Sequence, residues 1–517
     1  MVLYDIRKNA YYDSVTLMLI SKEIKQIEGV TEVLVGMGTE LNKELSSNLG
    51  LGGEAIDGLS PNDFFIAAEV SDEQVMAEVV ETVARLLTQK KASGDSVYRP
   101  VTLSAAKGMI PELNLAVVSI AGQYAEDEVD RLLEENIHVM LFSDNVSVEA
   151  EKKLKQKAVD RGLLMMGPDC GTAIINGIAL AFANVVKRGP IGVIGASGTG
   201  TQEVTSLIDR LGSGVSQVIG TGGRDLKSDI GGLMMLQSFD ALIADPETKV
   251  IVLISKPPAP EVAEKILKKV SETSKPVVVD FIGGDLEMIR KAGAIACISL
   301  EDTAYKAVAA ANGKSADDFA GFEMSDSEVS KIVSQAISPL KPSQKFLRGL
   351  YTGGTLADEA MKLLGNQFGG IYSNIPLSPE YELENLNVTG KHTCLDLGED
   401  QFTVGRPHPM IDPSTRTERM LKDIDESTAI VLMDVVIGYG SHENPAGEVA
   451  DSVRKLKAKV GAPVVYVASI TGTSGDPQGF ESSKEQLEAE GVIVMPSNAQ
   501  AVRLVGKMMH ALAQKEA

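Results

Sequence analysis

The sequence predicts an α/β protein: a small N-terminal α+β unit, a Rossmann-like domain and two flavodoxin-like parallel-sheet domains. Three observations carry this. The chain has 517 residues, which implies about three to four domains. It contains many short Val/Ile/Leu/Gly/Ala runs, the pattern of parallel strands buried on both faces. Those runs alternate with helical stretches and end in Gly-rich or polar turns, the layout of a doubly wound sheet, whose ligands bind beyond the carboxyl ends of the strands.

Residues 1–92 read as the α+β unit. Strands are expected at Met1–Ile6, Val30–Val35 and Asp63–Val70, with Asp13 capping a helix that runs to about Ile27 and a short helix over Glu40–Ser47. Ser71 and Gln74 read as a capping box opening a helix to about Thr88. The pattern is half of a ferredoxin-like fold. Lys90–Pro100 reads as a linker.

Residues 98–188 read as the Rossmann-like domain, with strands Leu113–Ile120, Val139–Phe142 and Leu163–Met166 and helices Glu126–Glu135 and Val148–Asp160. Residues 189–325 read as the first flavodoxin-like domain, with strands Ile191–Ile194, Ser216–Ile219, Val250–Ile254 and Val277–Phe281. A polar, Pro-containing connector with one helix at about Asp326–Ser338 leads to the second flavodoxin-like domain, 344–517. Its strands are Phe346–Tyr351, Thr393–Leu397, Ala429–Val436, Val464–Ala468 and Val492–Met495. The run Ala429–Ile437, apolar except for Asp434, should be the central strand.

Chemistry concentrates in the turns. Ile191–Ile194 runs into Gly195-Ala-Ser-Gly-Thr-Gly200 and then into a helix. A Gly-rich turn at a helix start offers unpaired backbone N–H groups and a positive dipole end to an anion. Ser197, Gly198, Thr199 and Gly200 are therefore candidate phosphate contacts. The turn Thr352-Gly353-Gly354-Thr355 echoes it in the second domain, so Gly353, Gly354 and Thr355 form a second cradle. Two facing cradles would hold one small anion; a duplicated scaffold with one working cradle is the simpler alternative.

The run Gly405-Arg-Pro-His-Pro-Met-Ile-Asp412 is stiffened by two prolines. There Arg406 can hold a carboxylate bidentately, and His408 can donate to an oxyanion or act as acid or base. The loop after the expected central strand places Tyr439, Gly440, Ser441, His442 and Asn444 as further candidates. Arg416 and Arg419 are expected to be solvated, and Cys170 to be a packing residue.

The net charge of −22 argues against nucleic-acid and anionic-membrane partners, which demand Lys/Arg patches. Three scattered cysteines, Cys170, Cys297 and Cys394, give neither a disulfide framework nor a zinc motif. They fit a reducing cytosol. No metal site is expected, and neither a signal peptide nor a membrane span.

Four stretches resemble the α subunit of succinyl-CoA ligase and ADP-forming acyl-CoA synthetases: Met166-Gly-Pro-Asp-Cys170, Gly192–Glu203, Gly220-Thr-Gly-Gly-Arg-Asp225, and Lys275-Pro-Val-Val with Ala292-Gly-Ala-Ile295. The C-terminal domain resembles the ligase domain of the β subunit, so the resemblance implies a CoA-binding-type domain at 98–188 and ligase-type domains at 189–325 and 344–517. The order of domains resembles the fused FdrA family, carried by MGPDCGTAIING, FANVVKRGPIGVIGASGTGTQEVT and VGRPHPMIDPSTRTERM. Three departures stand beside the match. Lys291 occupies the place of the family's phosphorylated histidine. The CoA-pyrophosphate loop has no copy beyond a weak Val35–Thr39 candidate. No ATP-grasp domain is present.

Lysine cannot relay a phosphoryl group as histidine does, but it can hold phosphate as a point charge. The resemblance implies that Glu203 is the glutamate that orients the phosphohistidine. With lysine there instead, it would pair with Lys291 or orient substrate. The resemblance further implies a subunit of an oxamate carbamoyltransferase-type enzyme of allantoin breakdown. Phosphate would attack the carbamoyl carbon of an N-carbamoyl anion such as oxalurate, giving carbamoyl phosphate. His408, Lys291 and Glu203 would be catalytic, and Ser197, Gly198, Thr199, Gly200, Gly353, Gly354, Thr355, Arg406, Gly440 and Ser441 would bind substrate or phosphate. Phosphate serves as substrate and no cofactor is required; CoA binding stays open. Separate partner subunits, an oligomer and a cytoplasmic location are expected. The alternatives are an ADP-forming acyl-CoA synthetase subunit lacking the phosphohistidine, and a non-catalytic scaffold that binds an acyl anion.

Overall fold

The structure, a computed structural model, describes residues 1–10, 12–89, 100, 102–365, 367–403 and 406–516. The linker expected at 90–100 lies outside the described residues apart from its last position. Two compact units emerge: residues 1–113 with 400–408, and 114–399 with 409–517.

In the first unit, β1 (Val2–Arg7), β2 (Val30–Met37) and β3 (Phe64–Val70) form one sheet in the order β1-β3-β2. β3 is antiparallel to both neighbours. Side chains alternate along a strand, so β3 feeds two cores. Phe64, Ile66 and Ala68 pack with Leu17, Ile24, Val79 and Val83 of the helices Ser14–Ile24 and Glu73–Gln89. Phe65 and Ala67 face Leu51, Ile56 and Leu59 on the other side. Asp13 caps the first helix as expected, accepting from the Thr16 amide at 2.8 Å. The Ser71–Gln74 box does not form. Asp72 takes its place, accepting from the Gln74 and Val75 amides at 2.9 and 3.1 Å and from the Ser71 hydroxyl. A carboxylate one residue nearer the helix reaches two first-turn amides that a serine hydroxyl cannot serve together.

The second unit holds three sheets. β4 (Leu115–Val118), β5 (His138–Leu141) and β6 (Met165–Met166) make a parallel three-stranded sheet. Next come the hairpin β7 (Thr172–Ile175) and β8 (Ile178–Ala181), then β9 (Arg188–Gly195), β10 (Val215–Gly220), β11 (Val250–Ser255), β12 (Val277–Phe281) and β13 (Ile295–Ala296). These seven lie in the order β13-β12-β11-β9-β10-β7-β8. The expected boundary at 188/189 thus has on its N-terminal side a hairpin that extends the sheet on its C-terminal side. β14 (Phe346–Tyr351), β15 (Thr393–Asp396), β16 (Thr428–Val436), β17 (Val465–Thr471) and β18 (Val492–Met495) form an all-parallel sheet in the order β15-β14-β16-β17-β18. β16 is its centre and every residue of it is buried.

Counting each parallel set from its own first strand, both sheets have the flavodoxin-like order 2-1-3-4-5. Each Gly-rich turn follows the first strand, which lies between the second and third. Both cradles therefore sit at topological switch points, where the connections leave the sheet to opposite faces and open a crevice. Among the described residues, no helix is long and apolar enough to cross a membrane.

Candidate functional site

The first cradle is shaped by close approach. A Cβ on Gly195 would lie 1.9 Å from the Thr201 hydroxyl, so only glycine lets the turn fold back on its helix. Ser197 caps the helix Gly198–Arg210, accepting from the Gly200 amide at 3.1 Å. The Gly198 and Thr199 amides belong to the first turn, where no intrahelical acceptor exists. The hydroxyl of Thr172, at the start of β7, lies 3.8 Å from where a Gly198 Cβ would be. Thr172 is 4% exposed, and its buried Oγ1 has no hydrogen-bond partner among the described residues. Ser255 ends β11 and Thr221 follows β10, the strands on either side of β9, and each has a buried hydroxyl with no hydrogen-bond partner among the described residues.

The second cradle, at the start of the helix Gly354–Leu364, is filled from within. Asp434 of β16 accepts from the Thr352 amide at 2.8 Å, the Thr352 hydroxyl at 3.0 Å and the Gly353 amide at 2.9 Å. Arg416 donates to the same carboxylate at 3.2 Å. Burial raises the Asp434 pKa, and Arg416 opposes the shift. Arg416 and Arg419, expected in solvent, are 2% and 7% exposed. They turn inward because buried carboxylates face them, Asp434 for Arg416 and Asp423 for Arg419. A Cβ on Gly354 would meet Asp396 Oδ2 at 2.2 Å, so a second acid lines this helix start. Burial pushes the Asp396 carboxyl up to about 7.

The two cradles touch. Ser197 Oγ and Thr355 Oγ1 are 2.6 Å apart. A Cβ on Gly353 would stand 2.6 Å from Thr199 Oγ1, and one on Gly200 would stand 2.8 Å from Thr355 Cγ2. Two helices thus meet positive end to positive end, a field that favours negative charge. Nearby, Lys256 of the loop after β11 pairs with Asp358 at 2.8 Å. Burial works against its charge, yet Asp358, Asp396 and Glu399 hold its pKa above the ordinary value.

A pair of glutamates locks the arrangement. Glu203 stands five residues past Gly198 and Glu359 five past Gly354. Glu203 accepts from the Asn498 amide at 3.0 Å and the Thr471 hydroxyl at 2.5 Å. Glu359 accepts from the Leu300 amide at 2.8 Å and the Asn498 side-chain amide at 2.8 Å. Leu300 and Asn498 open the last helices of the opposite ligase-type domains, Leu300–Ala311 and Asn498–Glu516. Each glutamate therefore caps a helix of the other domain. Burial raises both pKa values, that of Glu359 to about 8.

The remaining expected residues are placed elsewhere. Glu203 does not pair with Lys291: its carboxylate is taken by Asn498 and Thr471. Lys291 is exposed at the end of the helix Leu286–Lys291, and its side chain forms no hydrogen bond or ion pair with a described residue. Arg406 and His408 lie in the segment 400–408, which groups with the N-terminal unit. Burial pushes His408 down to about 4, so its ring is neutral at pH 7. Gly440 has φ +80, and a Cβ on it would meet Phe182 at 2.7 Å. The adjacent Tyr439 amide donates to Ala183 at 2.8 Å, so this loop packs on the segment before β9. Ser441 Oγ is buried with no partner among the described residues. Cys170 is buried, and burial pushes its thiol up to about 12, which makes it inert packing.

Sequence reasoning missed Glu359, Asp434, Thr172 and Asn498. The spacing of Glu203 from Gly198 recurs in Glu359 and was a usable signal. A lone acid in the apolar run of β16 was another.

Residues 350–508 match the CoA-ligase model, residues 186–283 the CoA binding domain model, and residues 1–100 the model described as AllF, heavy metal-associated domain. The succinate–CoA ligase [ADP-forming] subunit alpha 2 of Archaeoglobus fulgidus is 29% identical over 174 residues, 32% of this chain and 58% of that subunit. The structure of PH0766 from Pyrococcus horikoshii OT3 is 16% identical, covering 82% of this chain and 88% of that one at a TM-score of 0.34. YahF of Escherichia coli (strain K12) is 43% identical over 503 residues, 95% of this chain and 96% of YahF. The chain belongs to the family of YahF, within the acyl-CoA-ligase, succinyl-CoA-ligase-like superfamily.

Proposed function

We propose that this chain is a subunit of an ADP-forming acyl-CoA-ligase-type enzyme, and that its two ligase-type domains exchange an acyl group with phosphate at the first cradle. The observation that carries the reading is the meeting of two helix N-termini at Ser197 and Thr355, with the buried Thr172 hydroxyl unpartnered beside them. The Gly198 and Thr199 amides and Thr172 would hold phosphate. One phosphate oxygen attacks the acyl carbon, the thioester C–S bond breaks, and acyl phosphate and the CoA thiol leave. Backbone N–H groups stabilise the oxyanion as it forms. The second cradle takes no anion in this scheme, because Asp434 already fills it.

Lys291 stands where a phosphoryl-carrying histidine would be, so nucleotide chemistry falls to a partner subunit. The three buried free cysteines agree with work in the cytoplasm.

A second reading is carbamoyl transfer: phosphate attacks the carbamoyl carbon of oxalurate, the C–N bond breaks, and oxamate and carbamoyl phosphate leave. Two observations favour it, the match of residues 1–100 to an AllF domain and the lysine at 291. It would place the chain in allantoin breakdown.

One experiment separates the readings. The chain is purified with the products of its neighbouring genes and given phosphate with either succinyl-CoA or oxalurate, followed by phosphorus NMR. An acyl phosphate from the thioester supports the ligase reading. Carbamoyl phosphate from oxalurate, with no thioester cleavage, supports the second. Substrate binding with neither product would overturn both in favour of a scaffold.

A further inference from the structure

The N-terminal unit matches a model whose description names heavy metals, and its residues do not fit such an ion. Soft metal ions are held by thiolate, thioether and imidazole donors. Residues 1–100 contain no cysteine and no histidine. Their sulfurs are the thioethers of Met1, Met18, Met37 and Met76, and Met37 and Met76 are buried in the core under the helices. The segment 400–408 that groups with this unit brings one imidazole, His408. Among the described residues, no group of three or more His, Cys, Asp or Glu side chains is placed to share an ion.

A carboxylate ties the turns of this unit together. Asn9, at φ +54, turns the chain out of β1, and its amide donates to Asp63 Oδ1 at 3.0 Å. The Ser60 amide donates to Asp63 Oδ2 at 2.9 Å, and the Gly38 amide to the Asp63 carbonyl at 2.7 Å. Asp63 is 6% exposed. One residue therefore joins the turn after β1, the end of β2 and the approach to β3, with both carboxylate oxygens used. The Ser60 and Asn9 amides hold its pKa below the ordinary value, as charge-assisted bonds to backbone amides do.

We infer that the N-terminal unit is a metal-free form of its fold, which takes no soft heavy-metal ion and whose first turn is held by Asp63. The full reduced chain is incubated with Cu(I), Zn(II) or Cd(II), desalted and analysed for metal by mass spectrometry, with amide exchange followed across the N-terminal unit, Asn9 and Ser60 included. The expected result is no ion retained in stoichiometric amount. An ion retained without slowing exchange at any amide of the N-terminal unit lies outside that unit and supports the inference too. A stoichiometric ion that slows exchange within the unit would overturn it. Asp63→Ala should speed exchange at both amides several-fold, and Asp63→Asn, which keeps one acceptor oxygen, should speed it less. Unchanged exchange in both variants would also overturn the inference.

Discussion

Ser197 and Thr355, 158 positions apart in the chain, share a hydroxyl-to-hydroxyl hydrogen bond of 2.6 Å. Ser197 also caps its own helix through the Gly200 amide. Ser197→Ala therefore removes a cap and a bridge, and should cost about 1–2 kcal/mol. Thr355→Val removes the bridge alone and should cost about 1 kcal/mol. Urea unfolding of both single variants and the double variant checks this. The double variant should lose less than the sum, because the bridge can be lost only once. Strict additivity would mean that the two hydroxyls do not interact.

Asp434 carries the second cradle. Asp434→Ala frees the Thr352 and Gly353 amides and leaves the Arg416 guanidinium buried without its carboxylate. Breaking a buried pair from one side costs roughly 3–5 kcal/mol. The vacated nest offers two amides and an arginine, so inorganic phosphate should raise the melting temperature of this variant more than that of the parent chain. An equal shift in both would mean that the nest cannot take an anion even when empty.

Glu359 makes stability depend on pH. Its folded pKa, about 8, lies above the ordinary 4.5, so the folded state keeps a proton that the unfolded state releases. The stability it contributes is whole below pH 4.5 and is lost as the pH rises through 4.5 towards 8. The slope is at most about 1.4 kcal/mol per pH unit. Glu359→Gln cannot ionise and should flatten the decline over that window. A variant with the parent's slope would show that Glu359 does not hold its proton.

Much of the fold was legible because the pattern is repeated. Short apolar runs ending in glycine turns located the parallel strands, and the echo of Gly195–Gly200 in Thr352–Thr355 located both switch points. The contents of the cradles were not legible. Asp434 lies 82 residues from Thr352, and only the pairing of β14 with β16 brings them together. Arg416 and Arg419 look like surface residues in a polar helix, and the carboxylates that draw them inward are set by tertiary packing. Thr172 belongs to a hairpin whose place at the sheet edge depends on a single antiparallel register with β10. Glu359 is different: its spacing from Gly354 copies that of Glu203 from Gly198, so its role could have been read from the repeat.

Phosphate should sit in the first cradle, with Thr172 at its mouth. Calorimetric titration of the full chain with inorganic phosphate decides this. Binding should be saturable, and Thr172→Val should weaken it about tenfold, or about 1.4 kcal/mol, with little change in thermal stability. Phosphate binding of equal strength in Thr172→Val, or no binding by the parent chain, would rule the first cradle out as the phosphate site.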